Sequence, residues 1–242
     1  MKALIFPGQG SQELGMGREL YEAHAEARAV FDAGESVTGR ELTGVCGACG
    51  CDAETLNRTE NAQLAVFTVS MAAYAVWRAG NEPPAAMAGF SLGECSALCA
   101  AGVFSLEDGF RLVQKRAEVM MEACKNMNGA MSALLGGDPP EAYENGTDWA
   151  MPVNFNCPGQ IVVAGTPEGV AVLEERCKAS GGRVARLAVS GAFHTKMMAP
   201  AAAELRDFIK TLTVNPASVP VYSNLTGKPL PDGSDIETEG KG

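Results

Sequence analysis

The chain is poor in positive charge and in histidine. It has 242 residues, with 19 lysines and arginines against 29 aspartates and glutamates, which gives a formal net charge of −10. Binding to nucleic acid needs clustered cations against the phosphates, so we expect no nucleic-acid partner. The only two histidines, His24 and His194, are the only candidates for a base with an ordinary pKa near neutrality.

Long apolar runs are also missing, although 46% of the residues are hydrophobic. The first apolar run ends at Pro7, which is too short for a secretory signal and indicates a first buried strand. No segment is long enough to span a bilayer. We therefore expect a cytoplasmic globular protein without a membrane partner.

The cysteines do not form a recognisable metal or disulfide pattern. Five of the eight lie among apolar residues and are expected to be buried, reduced thiols: Cys95, Cys99, Cys124, Cys157 and Cys177. The other three, Cys46, Cys49 and Cys51, include one Cys-x-x-Cys in a glycine-rich run. A structural zinc site needs four ligands, and no second pair completes this one. The run is interpreted as a flexible loop, with a metal site as the alternative.

The predicted secondary structure changes near Asn126, from long helices to short strands. Before it, hydrophobic periodicity predicts a strand followed by long helices, at residues 2–6, 16–37, 59–80 and 105–124. After it, one helix at 167–182 lies among short β-like runs that start at residues 129, 151, 160 and 183. The segment 219–224 is predicted to be a strand, and Ser105 is predicted to be the N-cap of the helix at 105–124. This predicts an α/β main domain, residues 1–125 and 193–242, with a small α+β domain at 126–192. The polar tail, 232–242, is expected to be disordered.

One serine lies in a pattern that suits a nucleophile. The segment "GFSLGE", residues 89–94, follows a small apolar run and precedes an alanine-rich run. Gly-x-Ser-x-Gly between a strand and a helix is typical of a nucleophile elbow, in which Ser91 projects from a sharp turn. The backbone N–H of Leu92 would then be one donor to a developing oxyanion.

A serine nucleophile needs a base, and His194 is the better of the two histidines. His24 lies within a charged helical pattern and is interpreted as a surface residue. His194, in "VSGAFHTKMM", lies between a predicted strand and a predicted helix, beside small residues. The requirement of Ser91 for a base favours His194 as the catalytic one.

Two further features stay open from the residues alone. The loop "PGQGSQ", residues 7–12, could supply a second oxyanion donor, although it could equally be a plain turn or a weak phosphate loop. It lacks the Gly-Lys-Ser/Thr ending of a nucleotide-binding loop. Arg116 lies near an apolar helix stripe, where it either meets an anion or extends over the core to reach solvent.

Six segments, in this order, resemble the malonyl-CoA:acyl-carrier-protein transacylase family. They are "FPGQGSQ" (6–12), "TENAQLA" (59–65), "GFSLGE" (89–94), "QKRAEVM" (114–120), "VNFNCPGQIVVAG" (153–165) and "GAFHTKMM" (191–198). The resemblance implies a hydrolase-like α/β domain with a central, mostly parallel sheet, and a small ferredoxin-like α+β subdomain.

The resemblance also implies roles for individual residues. Ser91 would be acylated and His194 would be its base, with Gln9 and the Leu92 amide forming the oxyanion hole. Arg116 would hold the free malonyl carboxylate by a two-pronged hydrogen bond. Three more residues would contact the substrate: Gln63, Met120 and Phe193. The ring of Phe193 resembles the malonyl-selective form of its motif.

The implied activity is transfer of malonyl from malonyl-CoA to the phosphopantetheine thiol of acyl carrier protein, in fatty acid or polyketide synthesis. The serine ester is the intermediate, and no metal or redox cofactor is required. A monomer is expected. Since the carrier protein in this system is typically acidic, docking would need a local basic patch, for which four residues are candidates: Lys178, Arg183, Arg186 and Lys196.

The sequence departs from the family at three points. Phe90 stands where the family usually has histidine, and Ala117 stands where glycine is common. The family also continues past the position of Gly242 with a glutamine region that orients the histidine. Two alternatives stay open: a serine thioesterase or esterase that uses the same elbow, and a truncated chain that binds without catalysing.

Overall fold

The computed structural model describes most of the chain and divides it into two units. The described residues are 1–46, 51–125, 127–138, 143, 146, 149–187, 189 and 191–230. One compact unit comprises residues 1–118 and 205–242, and the other comprises 119–204. The domain limits expected from the sequence stay a prediction. Expectations for Cys49 and for the tail from residue 232 lie outside the described residues.

The first unit is built on a parallel sheet of three strands. β1 (Ala3–Phe6), β2 (Ala86–Gly89) and β7 (Val221–Tyr222) lie in the order β1-β2-β7. Phe6 is opposite Gly89 across the first pair, and Met87 is opposite Val221 across the second. The carboxyl ends of the strands therefore meet at one edge, where open α/β sheets place their ligands.

Helices around this sheet enclose the main core. They are α1 (Arg18–Ala23), α2 (Ala25–Thr38), α3 (Leu42–Val45), α4 (Ala53–Asn57), α5 (Thr59–Ala79), α6 (Leu92–Ala100), α7 (Leu106–Lys125) and α9 (Ala199–Ile209), of which α7 and α9 contain residues of both units. Phe67 of α5 and Phe110 of α7 are fully buried, with edge-to-face rings 5.0 Å apart. This aromatic pair fixes two of the helices that carry site residues.

In its described residues, the second unit has an antiparallel sheet and one α-helix that lies wholly within the unit. Its elements are β3 (Ala130–Leu135), β4 (Ala150–Cys157), β5 (Gln160–Gly165), α8 (Pro167–Ala179) and β6 (Arg183–Arg186). The strand order is β4-β5-β3-β6, with each neighbouring pair antiparallel, which is the order of a ferredoxin-like sheet. The expected fold class is confirmed: an α/β fold with a parallel sheet and a separate antiparallel one.

The predicted helix at 16–37 is wrong as a single element. His24 has an extended backbone, with φ −125° and ψ 127°, and separates α1 from α2. The guanidinium of Arg28 donates to the carbonyl oxygens of Tyr21 and Glu22 at 2.9 and 3.0 Å. Because these carbonyls gain a side-chain donor, the chain can break here without losing their hydrogen bonds.

Two predicted strands are shorter than expected, whereas a predicted cap is confirmed. The run from residue 183 is a strand only to Arg186, and the segment 219–224 only at Val221–Tyr222. The hydroxyl of Ser105 accepts from the backbone N–H of Asp108 at 3.0 Å, immediately before α7. Local capping chemistry was therefore easier to predict than strand length.

Candidate active site

The turn at Ser91 is the nucleophile elbow that the sequence predicts. β2 ends at Gly89 and α6 begins at Leu92, with Ser91 between them at φ 52° and ψ −107°. A Cβ on Gly89 would lie 1.9 Å from the carbonyl carbon of Gly93, and a Cβ on Gly93 would lie 2.2 Å from the Phe6 oxygen. Only glycine permits this approach of strand, turn and helix. Leu92 is in the first turn of α6, where helical N–H groups have no intrahelical acceptor.

Asn224 holds this strained turn from the far end of the sequence. Its Oδ1 accepts from the Ser91 N–H at 2.6 Å, and its Nδ2 donates to the Gly89 carbonyl oxygen. Its backbone N–H donates to Glu94 Oε1 at 3.0 Å. A non-glycine residue with positive φ persists only when its surroundings impose it, and these bonds do so. Sequence reasoning missed Asn224, which was included in the predicted strand 219–224. Its position two residues after the end of β7, at the carboxyl edge of the sheet, was the available signal.

Arg116 donates hydrogen bonds to two neutral side chains, those of Ser91 and Gln63. Its Nη2 donates to Ser91 Oγ at 3.2 Å, and its Nη1 donates to Gln63 Oε1 at 2.6 Å. Burial lowers the pKa of the guanidinium, and the nearby Cys95 and Glu94 partly oppose that shift. Arginine keeps its proton at working pH, so the cation remains directed at the elbow. The contacts favour the anion-binding interpretation of Arg116 over a side chain that extends to solvent.

Two glutamines connect Arg116 to the loop at residues 7–12. Gln63, in the second turn of α5, is 0% exposed. Its Nε2 donates to Gln9 Oε1 at 3.2 Å, and Gln9 Nε2 is 3.4 Å from Thr59 Oγ1. Gln9 therefore lies in one connected polar chain with Gln63, Arg116 and Ser91, and its role in an oxyanion hole stays a prediction.

The loop that carries Gln9 is anchored on both sides. Gln12 Nε2 donates to Asn57 Oδ1 at 2.8 Å, and Gln12 Oε1 accepts from the Gly10 N–H at 2.8 Å. A Cβ on Gly8 would lie 2.5 Å from the Phe90 carbonyl oxygen, so this glycine lets the loop approach the elbow. The conformation of the short glycine-rich loop is thus fixed next to the elbow.

Comparison with known proteins agrees with this geometry. A family model described as "Acyl transferase domain" matches residues 3–238. The chain belongs to the acyl transferase family. A malonyl CoA-acyl carrier protein transacylase of Bacillus subtilis is 41% identical over 243 residues, covering 97% of this chain and 76% of the relative. The Escherichia coli K12 protein of the same name is 39% identical over 241 residues, covering 97% and 77%.

Solved structures show the same fold. An acyl carrier protein S-malonyltransferase from Vibrio cholerae superposes with a TM-score of 0.90 at 36% identity, covering 97% of this chain and 78% of that one. A malonyl-transacylase solved in complex with its type II PKS acyl-carrier protein superposes with a TM-score of 0.89 at 36% identity, with the same coverages. The chain thus shares both family and fold with these acyltransferases, while the role of Ser91 stays a prediction.

The remaining predicted site residues of this acyltransferase belong to the second unit. His194 is exposed and has φ 62°; among the described residues, it and Ser91 are the two non-glycine residues with positive φ. Beside it, Thr195 Oγ1 donates to the Ala192 carbonyl oxygen at 2.7 Å and accepts from the Met197 N–H at 3.2 Å. Phe193 is buried, and Met120 follows Arg116 by four residues on α7. The roles of His194, Phe193 and Met120 stay predictions.

The cysteines show little sign of chemistry. Burial is the main cause that raises the pKa of the Cys46 and Cys99 thiols to about 12, so neither is a thiolate at neutral pH. In the described part of the chain, no three metal-ligating side chains form a group that could hold an ion. The expectation of a buried Cys157 is wrong, because it ends the edge strand β4 and is exposed.

Among the residues for which the structure gives positions, no helix combines the length and apolar character needed to cross a bilayer.

Proposed function

We propose that this acyltransferase moves the malonyl group of malonyl-CoA to the phosphopantetheine thiol of acyl carrier protein, through an ester on Ser91. The observation that carries the proposal is the Arg116 guanidinium, 3.2 Å from Ser91 Oγ and bonded to neutral partners. A cation at that distance suits an acyl group whose free carboxylate lies close to the reacting carbonyl. The names of the relatives, malonyl CoA-acyl carrier protein transacylases, support the same substrate.

In the proposed first step, Ser91 Oγ attacks the thioester carbonyl carbon while His194 takes the hydroxyl proton. Arg116 donates to a lone pair of Oγ, which leaves the O–H directed elsewhere and stabilises the developing alkoxide. The carbonyl oxygen becomes an oxyanion that accepts from the Leu92 N–H and the Gln9 amide. The C–S bond then breaks, and the CoA sulfur takes the proton back from His194.

In the proposed second step, the carrier thiol gives its proton to His194 and attacks the ester carbonyl. The tetrahedral intermediate uses the same two donors, and it collapses with Ser91 Oγ as the leaving group. His194 returns the proton to Oγ. A covalent intermediate of this kind gives ping-pong kinetics. The positive φ of both His194 and Ser91 supports their pairing, because backbone strain of this type concentrates at functional positions.

The substrate roles follow from length and charge. In the malonyl ester, one methylene separates the ester carbonyl from the free carboxylate, so the carboxylate can reach Arg116 without leaving the elbow. An acetyl group lacks that carboxylate and forms no ion pair with the cation. We propose that Phe193 and Met120 line the acyl chamber and restrict branched chains.

For the carrier protein, the charges of the second unit suggest which cations are available. Lys178 pairs with Glu175 at 2.7 Å, and Arg186 pairs with Glu174 at 2.9 Å. Within the described ranges, neither Arg183 nor Lys196 has an ion-pair partner. We propose that these two contact the acidic carrier protein, because their charge is not already compensated.

That docking proposal has a direct test. Arg183→Glu and Lys196→Glu should raise the KM for carrier protein and leave Ser91 malonylation unchanged. Lys178→Glu, in which the original cation was already paired, is the matched variant and should have a smaller effect. Unchanged carrier kinetics in Arg183→Glu and Lys196→Glu would refute this docking site.

The function itself is tested by intact-mass measurement after incubation with malonyl-CoA. A malonyl adduct that is absent from Ser91→Ala would support the proposal. Adding holo carrier protein should then move the adduct to the carrier. Release of free malonate in place of malonyl-carrier would indicate a thioesterase or esterase, and no adduct at all would contradict catalysis by this chain.

A further inference from the structure

The buried amide of Gln63 lies between two groups that serve different ends of the substrate. Its Oε1 accepts from Arg116 Nη1 at 2.6 Å, and its Nε2 donates to Gln9 Oε1 at 3.2 Å. We propose that Gln63 is a positioning residue that couples the carboxylate-binding Arg116 to the oxyanion donor Gln9, and does not itself contact substrate. This inference rests on the proposed function and revises the substrate-binding role that the sequence suggested for Gln63.

The available donors determine the direction of the hydrogen-bonded series Arg116–Gln63–Gln9. A guanidinium has only donors, so the oxygen of the Gln63 amide must face Arg116. The Gln63 nitrogen then faces Gln9, and the Gln9 oxygen is the acceptor. Gln9 is left with its nitrogen as the outward group, with Thr59 Oγ1 3.4 Å away. Since the nitrogen has two N–H groups, one can face Thr59 while the other serves an oxyanion.

Burial makes this direction hard to reverse. Gln63 is 0% exposed, so water cannot replace a lost partner. Turning the Gln63 amide over would set its N–H₂ against the guanidinium and its oxygen against the oxygen of Gln9. Losing two buried hydrogen bonds would keep the reversed form below about 1% of molecules. Arg116 thus determines which end of the Gln9 amide faces the reaction.

The choice of glutamine at position 63 follows from both contacts. In Gln63→Glu, the new carboxylate would pair with Arg116 and neutralise the charge needed for malonyl. It could only accept hydrogen bonds, so Gln9 would turn its nitrogen inward and present its oxygen to the oxyanion. A single substitution would therefore impair both ends of the substrate site.

The kinetic test compares two acyl donors in Gln63→Glu. With malonyl-CoA, which uses Gln9 and also pairs its carboxylate with Arg116, the rate constant for acylation of Ser91 should fall on the order of 10⁴-fold. With acetyl-CoA, which has no carboxylate for Arg116, it should fall on the order of 100-fold. Thr68→Val is the matched control, because Thr68 is also buried on α5 and its hydroxyl donates to the Leu64 carbonyl oxygen. Equal losses in Gln63→Glu and Thr68→Val would mean a merely structural role and overturn the proposal.

A second comparison isolates the coupling. Arg116→Met should slow acetylation more in the native background than in Gln63→Leu, because only the native background transmits the change to Gln9. The difference should be several-fold, a typical size for contacting residues. The same slowing in both backgrounds would show that Arg116 acts on acetyl transfer without Gln63.

A structural readout separates this inference from the proposed function. In protein labelled with ¹⁵N-glutamine, the side-chain amide signals of Gln9 should shift in Gln63→Leu and in Arg116→Met, and stay in place in Thr68→Val. Absence of any acyl adduct would sink the proposed function and leave this readout decisive for the coupling. Gln9 signals identical to those of the native protein in Gln63→Leu would overturn the coupling, whatever the activity.

Discussion

Each unit of the molecule contains a hydrogen-bonded cluster of a serine, an arginine and a buried acceptor side chain, but the acceptors differ. In the first unit Arg116 donates to the neutral amide of Gln63 and to Ser91. In the second, Arg186 pairs with the carboxylate of Glu174 at 2.9 Å, and the hydroxyl of Ser132 donates to the same carboxylate. The second cluster has a compensated charge, whereas the hydrogen-bond partners of Arg116 leave its charge in place.

The backbone conformations of Ser132 and Ser91 also differ, since Ser132 lies in a regular strand and Ser91 lies at a strained turn. Ser132 is 0% exposed in the middle of β3, paired with Val163 on one side and Arg186 on the other. Ser91 is partly exposed at a turn with φ 52°. Similar residue types thus form a closed structural cluster where the backbone is regular and the acceptor is charged. They form the proposed reactive cluster where the backbone is strained and the acceptor is neutral.

Removing the charge of Arg116 should have the largest effect, and this effect should be on malonyl transfer. Arg116→Met should lower kcat/KM for malonyl-CoA by about 10²–10³-fold, because the substrate carboxylate would lose its charged partner. Acetyl-CoA should lose less, so the ratio of the two substrates is the measurement. Arg186→Met is the matched control and should leave that ratio unchanged. An unchanged ratio in Arg116→Met would contradict the role assigned to the guanidinium.

A smaller effect is expected from the support of the elbow. Asn224→Ala removes the acceptor of the Ser91 N–H and the donor to Gly89, so the strained turn can relax. Acylation of Ser91 should slow about tenfold, measured by quenched-flow and intact mass. Thr226→Val is the control: Thr226 lies in the turn that contains Asn224, and its hydroxyl accepts from the Lys228 N–H at 3.3 Å. This variant should retain the native rate. Native acylation in Asn224→Ala would show that the turn holds itself.

Disrupting the cluster of Ser132, Glu174 and Arg186 in the second unit should lower the stability of the protein. Arg186→Met leaves the mostly buried Glu174 with the Ser132 hydroxyl and without its cation. Because the Arg186 side chain is 44% exposed, the loss should be only about 1–2 kcal/mol in the free energy of unfolding. Denaturant titration measures it. A loss of malonyl selectivity without a loss of stability would reverse the comparison.

The smallest effect, none at neutral pH, concerns the buried thiols of the first unit. The pKa values of Cys46 and Cys99 rise from 9.0 to about 12 in the folded chain. Between those values the unfolded chain loses thiol protons that the folded chain keeps. The free energy of unfolding should therefore fall as pH rises from 9 to 12, and fall less steeply in Cys99→Ala. Equal slopes in the two proteins would argue against the shift at Cys99.

The sequence predicted what depends on neighbouring residues. The elbow at Ser91 and the cap at Ser105 follow from patterns a few positions long, and the structure shows both. The contact between Asn224 and Ser91 joins positions 133 residues apart, and no local pattern reports it. The break at His24 depends on a guanidinium beyond it in sequence, at Arg28, which turns back to the end of α1.

Local sequence patterns also did not predict the hydrogen bonds that connect Gln9, Gln63 and Arg116. Motif resemblance proposed Gln9, Gln63 and Arg116 separately, since each lies in a different segment. That a single buried amide joins them follows only from distances. Conversely, the expected burial of Cys157 failed because edge position in a sheet depends on strand order, which a run of apolar residues does not specify.

The most direct measurement is a crystal structure of the chain with the malonyl ester trapped on Ser91. We expect the carboxylate to face the Arg116 guanidinium, with two nitrogen–oxygen distances of about 2.7–2.9 Å, and the ester carbonyl oxygen to face Gln9 and the Leu92 N–H. A carboxylate directed into solvent, or an acyl group found on any residue other than Ser91, would contradict the account.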